Sequence, residues 1–177
     1  MVDPQNVNII YMGTRLHGLW RSTDKGRSWA RVASFPNVSE KLNPVDRAAW
    51  GNRGSGIVCV AYDAQGTRDE RGTRDIYVAV SLMGRENLFV SHDYGESWQP
   101  VGGQPMQYRP THMVLTGDGQ LVLTYGDTPG PSQMGDGGVW KYDIRKGKWT
   151  DISPVRLPGG EKAGFGYAAV SVDSRNP

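Results

Sequence analysis

Apolar residues along this chain gather in short, nearly unbroken runs. Ile9-Ile10-Tyr11-Met12, Ile57 to Tyr62, Ile76-Tyr77-Val78-Ala79-Val80 and Leu121-Val122-Leu123 are bounded by Gly, Asp, Asn, Ser, Gln and Thr. Runs of this length suit strands, and no stretch repeats at helical spacing, so no amphipathic helix for a membrane or a partner is predicted. A strand with one wet face alternates apolar and polar residues, whereas one that is apolar at every position is buried on both faces. The longest run, Ile57 to Tyr62, is far too short to span a bilayer.

The runs belong to a repeat. Gly18-Leu19-Trp20-Arg21-Ser22-Thr23-Asp24-Lys25-Gly26-Arg27-Ser28-Trp29 returns 69 residues later as Asn87-Leu88-Phe89-Val90-Ser91-His92-Asp93-Tyr94-Gly95-Glu96-Ser97-Trp98. A looser copy, Gly138-Val139-Trp140-Lys141-Tyr142-Asp143 closing on Gly147-Lys148-Trp149, follows 51 residues further on. Each copy is preceded by a second strand pattern, and Ile57 to Asp63 and Met113 to Gly117 supply a strand before that. A unit of three or four short strands, buried on both faces, predicts β-propeller blades stacked wedge against wedge rather than a two-sheet sandwich. The expected blades are 2–52, 53–107 and 108–166, with the first strand of a next blade at 167–177. Val2-Asp3-Pro4-Gln5-Asn6 and Val172-Asp173-Ser174-Arg175-Asn176-Pro177 mark the same point of the repeat. Three blades are fewer than the four to eight of closed propellers, so the expectation is a segment of a longer protein.

Composition agrees with an all-β chain. Glycine (24) and proline (11) make up about a fifth of 177 residues, against roughly an eighth in average usage. Six tryptophans, eight tyrosines and three phenylalanines exclude a disordered chain. The formal charge of +2 gives no electrostatic reason to expect nucleic acid or an anionic membrane as partner. The single cysteine, Cys59, excludes an intrachain disulfide and reads as a core residue. Three scattered histidines give no metal-ligand spacing, so neither metal nor cofactor is expected. Met1-Val2-Asp3-Pro4 shows no secretion signal.

The repeated Ser-x-Asp-x-Gly-x-Ser-Trp element is an Asp-box, and its chemistry is that of a turn. Asp24 and Asp93 are short carboxylates suited to accepting turn amides, and Ser22 and Ser91 open the element. Gly26 and Gly95 suit positive φ, and Trp29 and Trp98 suit packing beneath the hairpin. A residue required once per blade points to structure rather than to calcium or catalysis.

With the rest of the unit included, the chain resembles glycoside hydrolase family 74. The resemblance is carried by Val2-Asp3-Pro4-Gln5-Asn6 with Ile10-Tyr11-Met12-Gly13, by Thr124-Tyr125-Gly126-Asp127 through Gly130-Pro131 to Val139-Trp140-Lys141-Tyr142, by Trp149-Thr150-Asp151-Ile152-Ser153-Pro154, and by Gly164-Phe165-Gly166-Tyr167 with Val172-Asp173. Val101-Gly102-Gly103-Gln104-Pro105 fits the same frame. It implies xyloglucan-cleaving β-1,4-glucanases built from two seven-bladed propellers, with the glucan in the cleft between them and this chain among the middle blades of the first. It also implies a secreted or periplasmic protein. It departs from the family pattern at Arg53-Gly54-Ser55-Gly56 and at Arg109-Pro110-Thr111-His112. Those departures leave open a related β-glucan as substrate.

The resemblance further implies inversion by two aspartates, one per propeller, a chemistry that holds two carboxyls roughly 6.5–9.5 Å apart. As aligned, neither position falls in this segment, so no catalytic residue is expected here. Asp127 and Asp136, in a Gly/Pro-rich loop, read as turn caps rather than a catalytic pair.

What the segment can offer is sugar binding, by aromatic faces on pyranose rings and by polar groups on hydroxyls. The candidates are Trp50, after a long insertion from Phe35 to Ala49; Tyr108, Arg109 and His112, at the entry to the third unit; and Tyr125 and Asp127, ending its second strand. Each aromatic also reads as packing between blades, and His112 as a structural histidine. The expected partners are a polysaccharide, xyloglucan or a related β-glucan, and the remaining blades and second propeller.

Two other readings of Asp-box blades stand beside this one. A non-catalytic propeller would bind a protein partner, as sortilin-like receptors and photosystem assembly factors do. A sialidase would need an arginine cluster and a tyrosine nucleophile, and no such arginine motif is recognisable. Asn37-Val38-Ser39 is a formal glycosylation sequon, and Arg68-Asp69-Glu70-Arg71-Gly72-Thr73-Arg74-Asp75 is expected to be a solvated hairpin loop.

Overall fold

The computed structural model describes residues 1–36, 56–63, 65–66, 68–130, 134–155 and 164–173. Every regular element among them is a strand. β1 (Ile10–Gly13), β2 (Leu19–Ser22) and β3 (Ala30–Arg31) form the first sheet. The second takes β4 (Ile57–Tyr62), β7 (Ile76–Val80), β8 (Leu88–Ser91) and β9 (Gln99–Pro100), with the small hairpin β5 (Arg68–Asp69) and β6 (Gly72–Thr73) between its first two strands. The third is β10 (Arg109–Leu115), β11 (Gln120–Gly126), β12 (Gly137–Asp143) and β13 (Lys148–Asp151). All pairings are antiparallel and follow chain order, as in successive propeller blades.

The unbroken apolar runs are explained by two cores, one on each face of the middle blade. Ile76, Val78 and Val80 of β7 join Ile9, Tyr11, Leu19 and Phe35 on the first-blade side. Tyr77 and Ala79 join Met113, Leu121, Leu123 and Tyr125 on the third-blade side. The pleat sends alternate side chains to opposite faces, and here both faces are dry: Val78 and Ala79 are each 0% exposed. The innermost strands β4 and β10 share a register shift at matching places, between Ile57 and Cys59 and between Pro110 and His112.

The first sheet has three strands, not four. Its inner edge is completed by one bridge, Val2 to Ile10. At the other end of the chain, residues 167–173 form no strand, for they have no ladder partner among the described residues; the Thr111 hydroxyl donates to the Tyr167 carbonyl at 2.7 Å.

The charged segment around Arg71 is the hairpin expected, with Asp69, Glu70 and Arg71 exposed to water, but it also has a buried side. It folds as β5–β6 and docks on the first blade. Thr73, 1% exposed, donates its amide (2.8 Å) and hydroxyl (2.7 Å) to the Asp3 carboxylate. Asp3 is itself buried and also accepts the amides of Gln5 and Asn6, so its oxygens are occupied by neutral donors. On the outer side the Arg71 guanidinium lies 3.9 Å from the centre of the Tyr94 ring, whose hydroxyl donates to Asp69. The segment ties to the first blade through neutral Thr73, while its charged Asp69 and Arg71 serve Tyr94 of their own blade and the solvent.

Candidate functional site

The blades have two unlike ends. At one lie the Asp-box turns after β2 and β8 and the β5–β6 hairpin; at the other lie the β1–β2, β7–β8 and β11–β12 loops and the connections between blades. Backbone hydrogen bonds hold the second end together, Ile57 amide to Thr14 carbonyl and Ser81 amide to Gly56 carbonyl. Tyr108, Arg109, Tyr125 and Asp127 all fall there, at the rim of the third blade, where Arg109 pairs with Gly126 and Pro110 with Tyr125. His112 sits deeper on β10, opposite Thr124. Trp50 lies outside the described residues, as does the Asn37 sequon.

Tyr108 is held at three points. Asn87, fully buried, donates its side-chain amide to the Tyr108 carbonyl at 3.0 Å. The same connection is clamped by Gln104, whose Oε1 accepts the amides of Asn87 (2.6 Å) and Leu88 (2.7 Å). The Tyr108 ring leans on Trp140, centroids 5.8 Å apart and 40° between planes. Its hydroxyl donates to Asp136 Oδ2 at 2.8 Å. Burial, followed by the bond to Asp136 and the charges of Asp136, Asp127 and Asp151, pushes the phenol up to about 12. It is a fixed, protonated, half-buried tyrosine at the blade rim.

The loop bearing Asp127 and Asp136 is closed at its neck. The Asp127 amide donates to the Asp136 carbonyl at 2.9 Å, Asp127 Oδ1 accepts the Gly135 amide at 3.0 Å, and Asp136 Oδ1 accepts the Gly137 amide at 2.9 Å. Both carboxylates cap backbone amides, which is turn chemistry.

Two candidates move from contact to support. Arg109 and Tyr125 are each 0% exposed, and both belong to strands, not loops. Tyr125 packs edge-on against Trp140 (5.2 Å, 85°), beneath Tyr108, and burial drives its phenol upward. The reason is register: the apolar end of β11 continues into the core, so its last ring is covered by β12. His112 is also a strand residue. It is half-buried and lines an open groove with Met12, Cys59 and Met113. Cys59 is half-buried against the second core, and burial pushes its thiol up.

Sequence reasoning took Asp136 only as a cap and Trp140 only as a strand residue. The signal for their joint role was available in outline: Gly137-Gly138 leaves the strand start bare beside an indole, so a neighbouring ring can settle there. Among the described residues no three His, Cys, Asp or Glu side chains gather to hold a metal ion. Among those residues no helix is long and apolar enough to cross a membrane.

No family model matches the chain. It is 39% identical to xyloglucanase Xgh74A of Acetivibrio thermocellus over 99% of its own length and 21% of that protein's. It is 35% identical to a xyloglucanase of Hypocrea jecorina, again over 99% of the chain and 21% of the relative. Among solved structures, the GH74 xyloglucanase of Xanthomonas campestris superposes with a TM-score of 0.84 at 41% identity, covering 98% of this chain and 24% of that one. The GH74 enzyme of Niastella koreensis gives 0.80 at 33% identity, over 99% and 23%. The chain therefore spans about a fifth of the length of the curated relatives it matches. With blades of this build and a likeness to both structures across nearly every residue, the chain is similar to the GH74 xyloglucanases along almost its whole length.

Proposed function

We propose that this chain is a stretch of a secreted or periplasmic glycoside hydrolase that cleaves xyloglucan or a related β-1,4-glucan. Its blades supply scaffold and one wall of the glycan cleft. The reaction inverts the anomeric centre and uses two aspartates outside these 177 residues; the remaining blades and a second propeller complete the site. The observation that carries the reading is the likeness to the Xanthomonas campestris GH74 xyloglucanase, 41% identical over 98% of this chain. The capping roles of Asp127 and Asp136 agree with chemistry located elsewhere.

Within this wall, Tyr108 presents the sugar-facing ring and Asp127 flanks it, with Arg109 and Tyr125 as support. Trp50 and His112 are the further contacts of the proposal. The test is release of reducing ends from xyloglucan by the protein as its gene encodes it, run beside this 177-residue chain alone. Release by the former only is the expected result. Hydrolysis by the short chain would overturn the placement of both aspartates, and no release by either would overturn the activity.

A further inference from the structure

We propose that Asp136 positions Tyr108 as the acceptor-only face of a sugar subsite, and that this face selects uncharged saccharides over those carrying a carboxylate. The inference deepens the glucan-binding reading and rests on it.

A phenol has one proton to give. Tyr108 gives its proton to Asp136 Oδ2 at 2.8 Å, so toward any incoming ligand its oxygen can only accept. Asp136 accepts at both oxygens, Oδ2 from Tyr108 and Oδ1 from the Gly137 amide. Asp127 likewise accepts, from the Gly135 amide. The rim of the third blade thus gathers a ring, an acceptor oxygen and the carboxylates of Asp127 and Asp136 over a core containing Trp140 and Tyr125, with Arg109 fully buried at the same rim.

A ligand that suits this patch must bring donors and an apolar face. Neutral pyranosides bring both, with hydroxyl protons on the edges and C–H bonds on the faces. A uronic acid residue would place its charge against like charges and offer an acceptor where acceptors already stand. Specificity built on repulsion needs no added contact to the favoured ligand. The Trp140 stack and the Asn87 bond to the Tyr108 carbonyl keep the ring in place, so the phenol–Asp136 bond decides which way its oxygen points.

The test measures equilibrium binding to the protein as its gene encodes it. The probes are a neutral cello-oligosaccharide and the same oligosaccharide oxidised at C6 to the carboxylate. The wild type should bind the neutral form at least roughly tenfold more tightly. Tyr108→Phe keeps the ring and removes the acceptor, and should weaken neutral binding roughly three- to tenfold. Asp136→Ala should do the same by releasing the phenol. Asp136→Asn retains an oxygen to accept the Tyr108 proton while removing the charge. It should therefore restore part of the neutral affinity lost in Asp136→Ala and narrow the discrimination against the oxidised probe.

Equal binding of both probes by the wild type would overturn the inference, as would full neutral affinity in Tyr108→Phe or unaltered discrimination in Asp136→Asn. Thermal unfolding of each variant separates loss of the site from loss of the fold. If Asp136→Ala does not fold, Tyr108→Phe and Asp136→Asn carry the test alone. A wild type that binds no glucan defeats the broader reading; neutral binding that ignores Tyr108 defeats only this one.

Discussion

The two Asp-box turns share one hydrogen-bond diagram and have quite different surroundings. In the first, the Ser22 hydroxyl donates to Asp24 and accepts the Gly26 amide, Asp24 accepts the amide (2.9 Å) and hydroxyl (2.6 Å) of Ser28, and the Trp29 indole donates to the Gly26 carbonyl at 3.1 Å. In the second, Ser91, Asp93, Gly95, Ser97 and Trp98 repeat every one of those bonds. Among the described residues, only the second is wedged against another blade. The Tyr11 hydroxyl donates to the Tyr94 carbonyl, Ser34 donates to the Gly95 carbonyl, and Trp98 meets Phe35 edge-on at 5.1 Å. The octapeptide encodes the turn; the neighbouring blade decides how much stability hangs on it.

Removing the indole should widen that difference most. Trp98 packs on the core between the first two blades, while Trp29 is 36% exposed. Trp98→Ala should cost about 3 kcal/mol, near the lower end for buried aromatics, because one side of the ring is open. Trp29→Ala should cost about 1 kcal/mol or less. Urea unfolding of both variants checks this, and equal midpoints would break the comparison.

The glycines should separate next. Gly26 (φ 84) and Gly95 (φ 87) occupy the left-handed region, so alanine strains either by about 1–2 kcal/mol. At Gly26 the new methyl would meet only ordinary contacts with Trp29 and Ile10. At Gly95 it would run into the Tyr11 hydroxyl and break the bond that joins the blades. Gly95→Ala should therefore lower the thermal midpoint further than Gly26→Ala. The double variant with Tyr11→Phe, which trims the obstructing hydroxyl, should recover part of the gap.

This contrast also marks how far the sequence could be read. The blades were legible because repetition and burial leave the same trace: a strand with two dry faces, such as β7, cannot alternate. The turns were legible because Ser, Asp, Gly and Trp each meet a local need. The third copy shows where that stops. It lacks the serine and the aspartate of the box, and Asp143 caps the amides of Arg145 and Lys146 in a different turn. Its Trp149 donates not to its own hairpin but to the Gly102 carbonyl of the preceding blade, at 2.9 Å. Contacts between blades join residues far apart in the chain, and no local pattern records them. For that reason Asp3 with Thr73 was invisible beforehand, and so, across 25 and 28 residues within single blades, were Tyr94 with Asp69 and Tyr108 with Asp136. The same blindness took Arg109 and Tyr125 as sugar contacts, when register carries both into the interior.

The smallest expected effect is in acid. Hydrogen bonds from the Ser28 side chain, then the Ser28 amide and Ser22, hold the Asp24 carboxyl down at about 2. Asp93 is lowered as well, but there burial is the largest influence and pushes upward, and the bonds from Ser97 and Ser91 must outweigh it. A carboxyl depressed in the folded state stabilises the fold above its unfolded value, near 4, and that contribution fades as pH falls toward the folded value. Asp24 should therefore remain ionised to lower pH than Asp93, and its turn should be the more acid-resistant of the two. Carboxyl-carbon NMR titration between pH 5 and pH 1.5 reads both directly. Ser28→Ala should raise the Asp24 midpoint toward the ordinary range without moving that of Asp93. An Asp24 midpoint at or above that of Asp93 would mean that burial of the second turn does not separate two carboxyls held by the same hydrogen bonds.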